Sequence, residues 1–246
     1  VDTGSPFTIL DKSLEPELGK PIGTRRLNYA SFEDLTANKY KSPKFYLGNT
    51  PLQLGDSVVT DNVKRLMSGR PVAGVLGMDC LRHYCIQLDF TTRKIRFIDS
   101  DSLQAKQLGK PFPLVHIGSN LSTHMDFHGK NERFRLDTGD ITDGVLQPKL
   151  LKDTVKAQKP VRTFQIKTIS GALEQWSYFS AFDLGSETYT NMLMRQISNK
   201  GNESILGLRF LARNLVTLDF PNRTMYLKQA SVGPLANENG KINCGP

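Results

Sequence analysis

The chain has 246 residues, a formal net charge of +8, 38% hydrophobic and 23% charged residues. That composition describes a folded globular protein long enough to bury a sizeable core, and it excludes an intrinsically disordered chain. No apolar run approaches the roughly 18 residues of a membrane span, and the dispersed basic excess comes without the aromatic interleaving or recognisable module of a nucleic-acid binder.

Taken in chain order, the sequence reads mostly as short strands. Asp2-Thr3-Gly4-Ser5 opens it with turn chemistry. A hairpin is expected from Ile22 to Tyr46, its tip near Ser31 to Asn38 and flanked by Tyr29 and Tyr40, with Lys44 to Leu47 as a strand. Val75-Leu76-Gly77 leads into a short helix from Gly77 to Arg82. Cys85 to Phe90 and Lys94 to Ile98 read as strands joined by a turn at Thr91-Thr92-Arg93. Asp99 to Pro113 reads as a linker. Strands follow at Phe112 to Ile117, Met125 to Lys130 and Phe134 to Leu136, the last running into Asp137-Thr138-Gly139-Asp140. Pro148 to Gln158 is a helix with Lys149, Lys152, Lys156 and Lys159 on a solvated face. A second hairpin is expected from Val161 to Phe182, including a Thr163 to Lys167 strand, a tip at Ser170-Gly171-Ala172, and Trp176 and Tyr178 after it. Ile205-Leu206-Gly207 leads into a second short helix to Ala212, then a strand from Val216 to Phe220 and a turn at Pro221-Asn222-Arg223.

The second half of this order repeats the first. A given tripeptide occurs at on the order of one position in 5,000 from average usage, yet Asp-Thr-Gly occurs at Asp2 and again at Asp137. Their tails match as well. Leu76, Gly77, Leu81, Leu88, Asp89, Phe90 and Arg93 recur without a gap as Leu206, Gly207, Leu211, Leu218, Asp219, Phe220 and Arg223. The chain therefore reads as a duplication, with a first lobe over residues 1–105 and a second over 106–246. Leu81, Leu211, Leu88 and Leu218 are expected to be buried, each in its own lobe's core. Cys80 and Cys85 align with Phe210 and Leu215, so they read as small buried hydrophobes; with Cys244 the cysteines are odd in number. His124 and His128 are four apart on a predicted strand, about 13 Å from each other, too far to share one metal ion. No metal or cofactor is expected.

A single Asp-Thr-Gly is ordinary turn chemistry. Two of them, brought together by two-fold packing, would set Asp2 against Asp137. Two close carboxylates cannot both ionise cheaply and share one proton over a usable pH range. The ionised member can take a proton from water while the protonated member hydrogen-bonds a carbonyl oxygen. These residues, with the hydrophobic-Leu-Gly segments ending at Gly77 and Gly207, make the chain resemble the aspartic proteases of the pepsin and retropepsin group. It is most similar to the microbial predicted aspartyl proteases with two retropepsin-like repeats in one chain. The resemblance spans residue 1 to about residue 230. It implies a mainly β, bilobal acid-protease fold with one short helix per lobe, and an aspartic endopeptidase working without metal or cofactor on an extended peptide, as a monomer with pseudo-two-fold lobes. Asp2 and Asp137 would be the catalytic pair, supported by Thr3, Gly4, Ser5, Thr138 and Gly139. Gly77 and Gly207 would let a second backbone cross behind each aspartate. The two hairpins would act as lids, with Tyr29, Tyr40, Gly171 and Trp176 as candidate substrate contacts; the same aromatics read equally as strand residues packed on the sheet.

The sequence departs from the pattern in two places. Ser5 can donate to the outer oxygen of Asp2, but its counterpart is Asp140, which cannot donate when ionised and adds a third negative charge beside the pair. The strands that precede Asp137 have only Val1 in the corresponding place before Asp2, so lobe one is expected to show an open sheet edge there. Two alternatives stay beside the enzyme: a non-catalytic peptide-binding module on the same scaffold, and a self-processing domain of a larger precursor.

Overall fold

A computed structural model describes residues 1–27, 35–66, 71–117, 120–167, 173–196 and 203–235. Among them strands dominate and form two large sheets. The smaller has five strands in the order Gly23–Leu27, Leu35–Lys41, Ser57–Asp61, Ile9–Asp11 and Gly74–Val75. Side chains alternate across it, as the two-residue period of a strand requires. Ile9, Leu27, Ala37, Val59 and Val63 pack on one side, while Leu10, Tyr40 and Val58 pack together on the other.

The larger sheet has twelve strands, ten from Lys110 onward together with Cys85–Asp89 and Lys94–Ile98. Lys110–Ile117, Asn120–Phe127 and Lys130–Asp137 form an antiparallel meander, and Lys130–Asp137 then pairs in parallel with Ser204–Gly207. The expected linker thus ends early. Lys110 to Pro113 already pairs with Thr224 to Leu227. Pro111 and Pro113 are tolerated because the opposite neighbour pairs only from Leu114 onward, so their missing N–H groups break no ladder on that side.

The expectation of a separate core for each lobe is corrected by one pairing. Cys85–Asp89 lies antiparallel to Asn214–Asp219, with Leu88 opposite Val216 and Ile86 opposite Leu218. The strand after each short helix therefore joins the same sheet, and Leu81, Leu88, Leu211 and Leu218 are buried in one shared cluster. Leu-Asp-Phe recurs for a local reason. Asp89 Oδ1 accepts from Thr92 N at 3.0 Å and Asp219 Oδ1 from Asn222 N at 3.2 Å, closing each hairpin turn. Arg93 and Arg223 complete the turns at φ 56° and 51°.

Pro148–Ala157 is the longest helix described, with proline in its first turn, where no N–H is missed. It buries Leu150 and Thr154 and leaves its lysines in solvent. Cys80 and Cys85 are buried free thiols, and burial pushes them up to about 11 and about 12. Two hairpins stand at the expected places, Gly23–Leu27 with Leu35–Lys41 and Arg162–Lys167 with Leu173–Leu184. Leu35 to Asn38, expected at the first tip, are strand residues paired with Thr24 to Leu27; Tyr29 and the rest of that tip, and the second tip with Gly171, lie outside the described residues.

Candidate active site

The two Asp-Thr-Gly loops meet and are bonded to each other reciprocally. Thr3 N donates to Thr138 Oγ1 at 3.0 Å, and Thr138 N donates to Thr3 Oγ1 at 3.1 Å. Each hydroxyl then donates into the opposite segment, Thr3 Oγ1 to Leu136 O and Thr138 Oγ1 to Val1 O, both at 3.1 Å. A hydroxyl suits this place because it accepts and donates at once. The backbone behind the loops matches too. Met78 N donates to Ser5 O at 2.8 Å and Leu208 N to Asp140 O at 2.7 Å, so each short helix is tied to its own loop. Glycine is required where these crossings occur: a Cβ at Gly77 would overlap Phe7 O, and one at Gly207 would overlap Thr142 O.

This frame aims both carboxylates inward. Gly4 N donates to Asp2 Oδ1 at 2.8 Å and Gly139 N to Asp137 Oδ1 at 2.9 Å. Each glycine also abuts the aspartate of the other loop. A Cβ on Gly4 would lie 2.6 Å from Asp137 Oδ2. One on Gly139 would lie 2.8 Å from Asp2 Oδ2 and 3.1 Å from Asp137 Oδ1. Two oxygens that close to one point are within about 6 Å of each other, the range over which one carboxylate opposes ionisation of a second. Asp137 carries that effect: burial first, and then the charge of Asp2, raise its pKa to about 6, against a pull downward from Arg135.

Two expected roles are corrected. Ser5 does not reach Asp2; its hydroxyl donates to Phe7 O at 2.7 Å, a backbone acceptor two residues on that a short turn brings nearer. Asp140 is not a bare third charge. Its Oδ1 accepts from Thr142 N at 2.9 Å, and its Oδ2 meets Arg195 at 2.5 Å. Arg195 also holds Glu174 at 2.9 Å, and Trp176 Nε1 donates to Glu174 at 3.1 Å. Burial works against the charge on Arg195, but Asp140 and Glu174 outweigh it and raise its pKa. Asp140 still disfavours ionisation of Asp137, behind burial, Asp2 and the opposing Arg135.

Arg135 went unread in the sequence. It donates to Asp137 Oδ2 at 3.1 Å. Residues two apart on a strand share a face, so Arg135-Leu136-Asp137 carried the signal. Arg195 carried none, being 55 residues from Asp140. Among the candidate substrate contacts, Tyr40 is 3% exposed against Leu10 and Val58, and Trp176 packs with Tyr178, Leu193, Phe164 and Ile166. Both are strand aromatics packed on their sheets. No group of metal-ligating side chains occurs among the described residues, and none of their helices is long and apolar enough to cross a membrane.

No family model and no curated protein matches the chain. Solved structures do. A retropepsin-like aspartic protease from Rickettsia conorii is similar at 15% identity and TM-score 0.36, over 48% of this chain and 89% of that one. Basic 7S globulin from soybean is similar at 11% identity and TM-score 0.54, over 94% of this chain and 87% of that one. At 11% identity the likeness to the globulin speaks to fold alone. The fold is mainly β and bilobal, of the pepsin and retropepsin type.

Proposed function

We propose that this chain is an aspartic endopeptidase, related to proteins with two retropepsin-like units in one chain, in which Asp2 and Asp137 are the catalytic residues. The observation that carries the reading is the reciprocal lock between Thr3 and Thr138, which sets each glycine amide on its own aspartate and leaves no room for a Cβ between each glycine and the other aspartate. Loops joined for packing alone have no need of two carboxylates converging there.

The chemistry follows from the shared proton. Burial and the charge of Asp2 keep a proton on Asp137 up to about pH 6. Asp2 is then the base that takes a proton from a water between the two carboxylates, and the oxygen of that water attacks the peptide carbonyl. Protonated Asp137 donates to the carbonyl oxygen and stabilises the oxyanion as it forms. The proton gained by Asp2 passes to the leaving nitrogen, and collapse of the tetrahedral species returns Asp137 its own. The water ends as the hydroxyl of the new carboxyl group. An extended peptide would lie between the two hairpins and pair with their backbone.

The test is turnover of an unfolded protein substrate between about pH 4 and 6, the range over which a carboxylate pair holds one proton, by the wild type, Asp2→Asn and Asp137→Asn. Each single substitution should remove peptide-bond cleavage while leaving the melting temperature near that of the wild type. Cleavage that survives both would sink the enzymatic reading. Binding of the same peptides without cleavage by the wild type would favour the second reading, a peptide-binding module, which the engagement of Asp137 by Arg135 supports.

A further inference from the structure

We propose that Arg135 is a positioning residue of the acid pair: its guanidinium donates to Asp137 Oδ2, where position 140 offers no hydroxyl, and supplies the positive charge that faces the two neighbouring acids. This rests on the protease reading for its kinetic consequence, but not for its electrostatic one.

The geometry is specific. Asp137 has two oxygens with different donors. Gly139 N takes Oδ1 at 2.9 Å, and Arg135 takes Oδ2 at 3.1 Å. The residue after Gly139 is Asp140, which carries no hydroxyl and whose own oxygens are occupied by Thr142 and Arg195. Arg135 fills that gap from the other side, along its own strand. It is held there by backbone pairing on both flanks, opposite Ser122 on one neighbour and Ile205 on the other. The side chains of Arg135 and Asp137 are 21% and 16% exposed, so solvent screens the pair only in part.

The charges around Asp137 leave this role to Arg135. Arg133, on the same strand face, is paired with Glu203 at 2.9 Å. Arg195, on Glu187–Gln196 of the same sheet, is shared between Asp140 and Glu174. Asp2 faces Asp137 from the other loop, and both Asp2 and Asp140 oppose its ionisation. Arg135 is the cation bonded to Asp137 itself, and its pull on the carboxyl is downward. Without it, burial and two neighbouring acids would act unopposed, and the pair would keep its last proton to higher pH.

The experiment is a carbon-13 NMR titration of the aspartate carboxyls in wild type, Arg135→Gln and Arg135→Lys, with kcat/KM against pH on the same samples. Arg135→Gln should move the Asp137 midpoint and the alkaline limb upward together by about one pH unit, the low end for loss of an adjacent opposite charge. Arg135→Lys, which keeps the charge, should move both by less than half as far. If Arg135→Gln fails to fold, Arg135→Met keeps the aliphatic stem and is read the same way. A folded neutral variant with an unmoved midpoint overturns the proposal, as does a Lys variant that shifts as far as the Gln variant. A midpoint that moves in a protein without turnover supports the electrostatic assignment and sinks the protease reading instead.

Discussion

Replacing Thr3 by valine tests the lock between the two loops. The substitution keeps the shape and removes the hydroxyl, so it deletes one accepted and one donated hydrogen bond. The groups left behind are Thr138 N and Leu136 O. Thr3 and Leu136 are each 1% exposed, and Thr138 is 8% exposed, so water cannot replace the lost partners. Orphaning a buried polar group costs about 1–3 kcal/mol, which puts Thr3→Val at about 2–6 kcal/mol for two such groups. Thr138→Val should cost less, about 1–3 kcal/mol, because one of its two orphans belongs to Val1, which is 39% exposed and open to water. Urea unfolding with an unchanged m-value measures both. Turnover of Thr3→Val should also fall more than its folded fraction, since its loop no longer fixes Asp2. A Thr3→Val cost below about 0.5 kcal/mol, the usual span of an inconsequential surface change, would refute the reasoning. So would a Thr138→Val cost larger than that of Thr3→Val.

Activity should fall as the pH rises through about 6, because Asp137 must keep its proton and its pKa is raised by burial and by Asp2; a flat kcat/KM profile from pH 5 to about 8 would contradict that assignment. The same shift has a stability sign: the folded state holds this proton more tightly than the unfolded chain, so its contribution is complete below about pH 4 and is lost as the pH rises to about 6. Arg195→Met leaves Asp140 buried without its cation, and should cost about 3–5 kcal/mol in thermal or urea unfolding. In that variant the Asp140→Asn change should restore part of the loss; no restoration would show that the Asp140 charge is not what Arg195 compensates.

Local chemistry was legible in the sequence where one residue type answers one constraint. The glycines at 77 and 207 are needed because a backbone oxygen occupies the space of a Cβ, and the repeated aspartates at 89 and 219 are needed because each closes a turn three residues on. What was not legible depends on which of several partners a group finds in three dimensions. Ser5 has an acceptor in Phe7 O as well as in Asp2, and the nearer geometry takes its proton. The shared sheet rests on Cys85–Asp89 pairing with a strand some 130 residues away, which no local pattern encodes. Asp140 looked like a loose third charge because its partner Arg195 is remote in sequence. Arg135 was readable from strand periodicity alone, two residues before Asp137 on the same face.

The most direct measurement is a crystal structure of the protein with a peptide whose scissile carbonyl is replaced by a secondary alcohol, a mimic of the tetrahedral species. The account predicts that the hydroxyl sits between the loops, within about 2.6–3.2 Å of an oxygen of Asp2 and an oxygen of Asp137, the reach of a catalytic hydrogen bond. A peptide bound elsewhere, or a hydroxyl that touches one aspartate while the other stays turned toward Arg135, would contradict it.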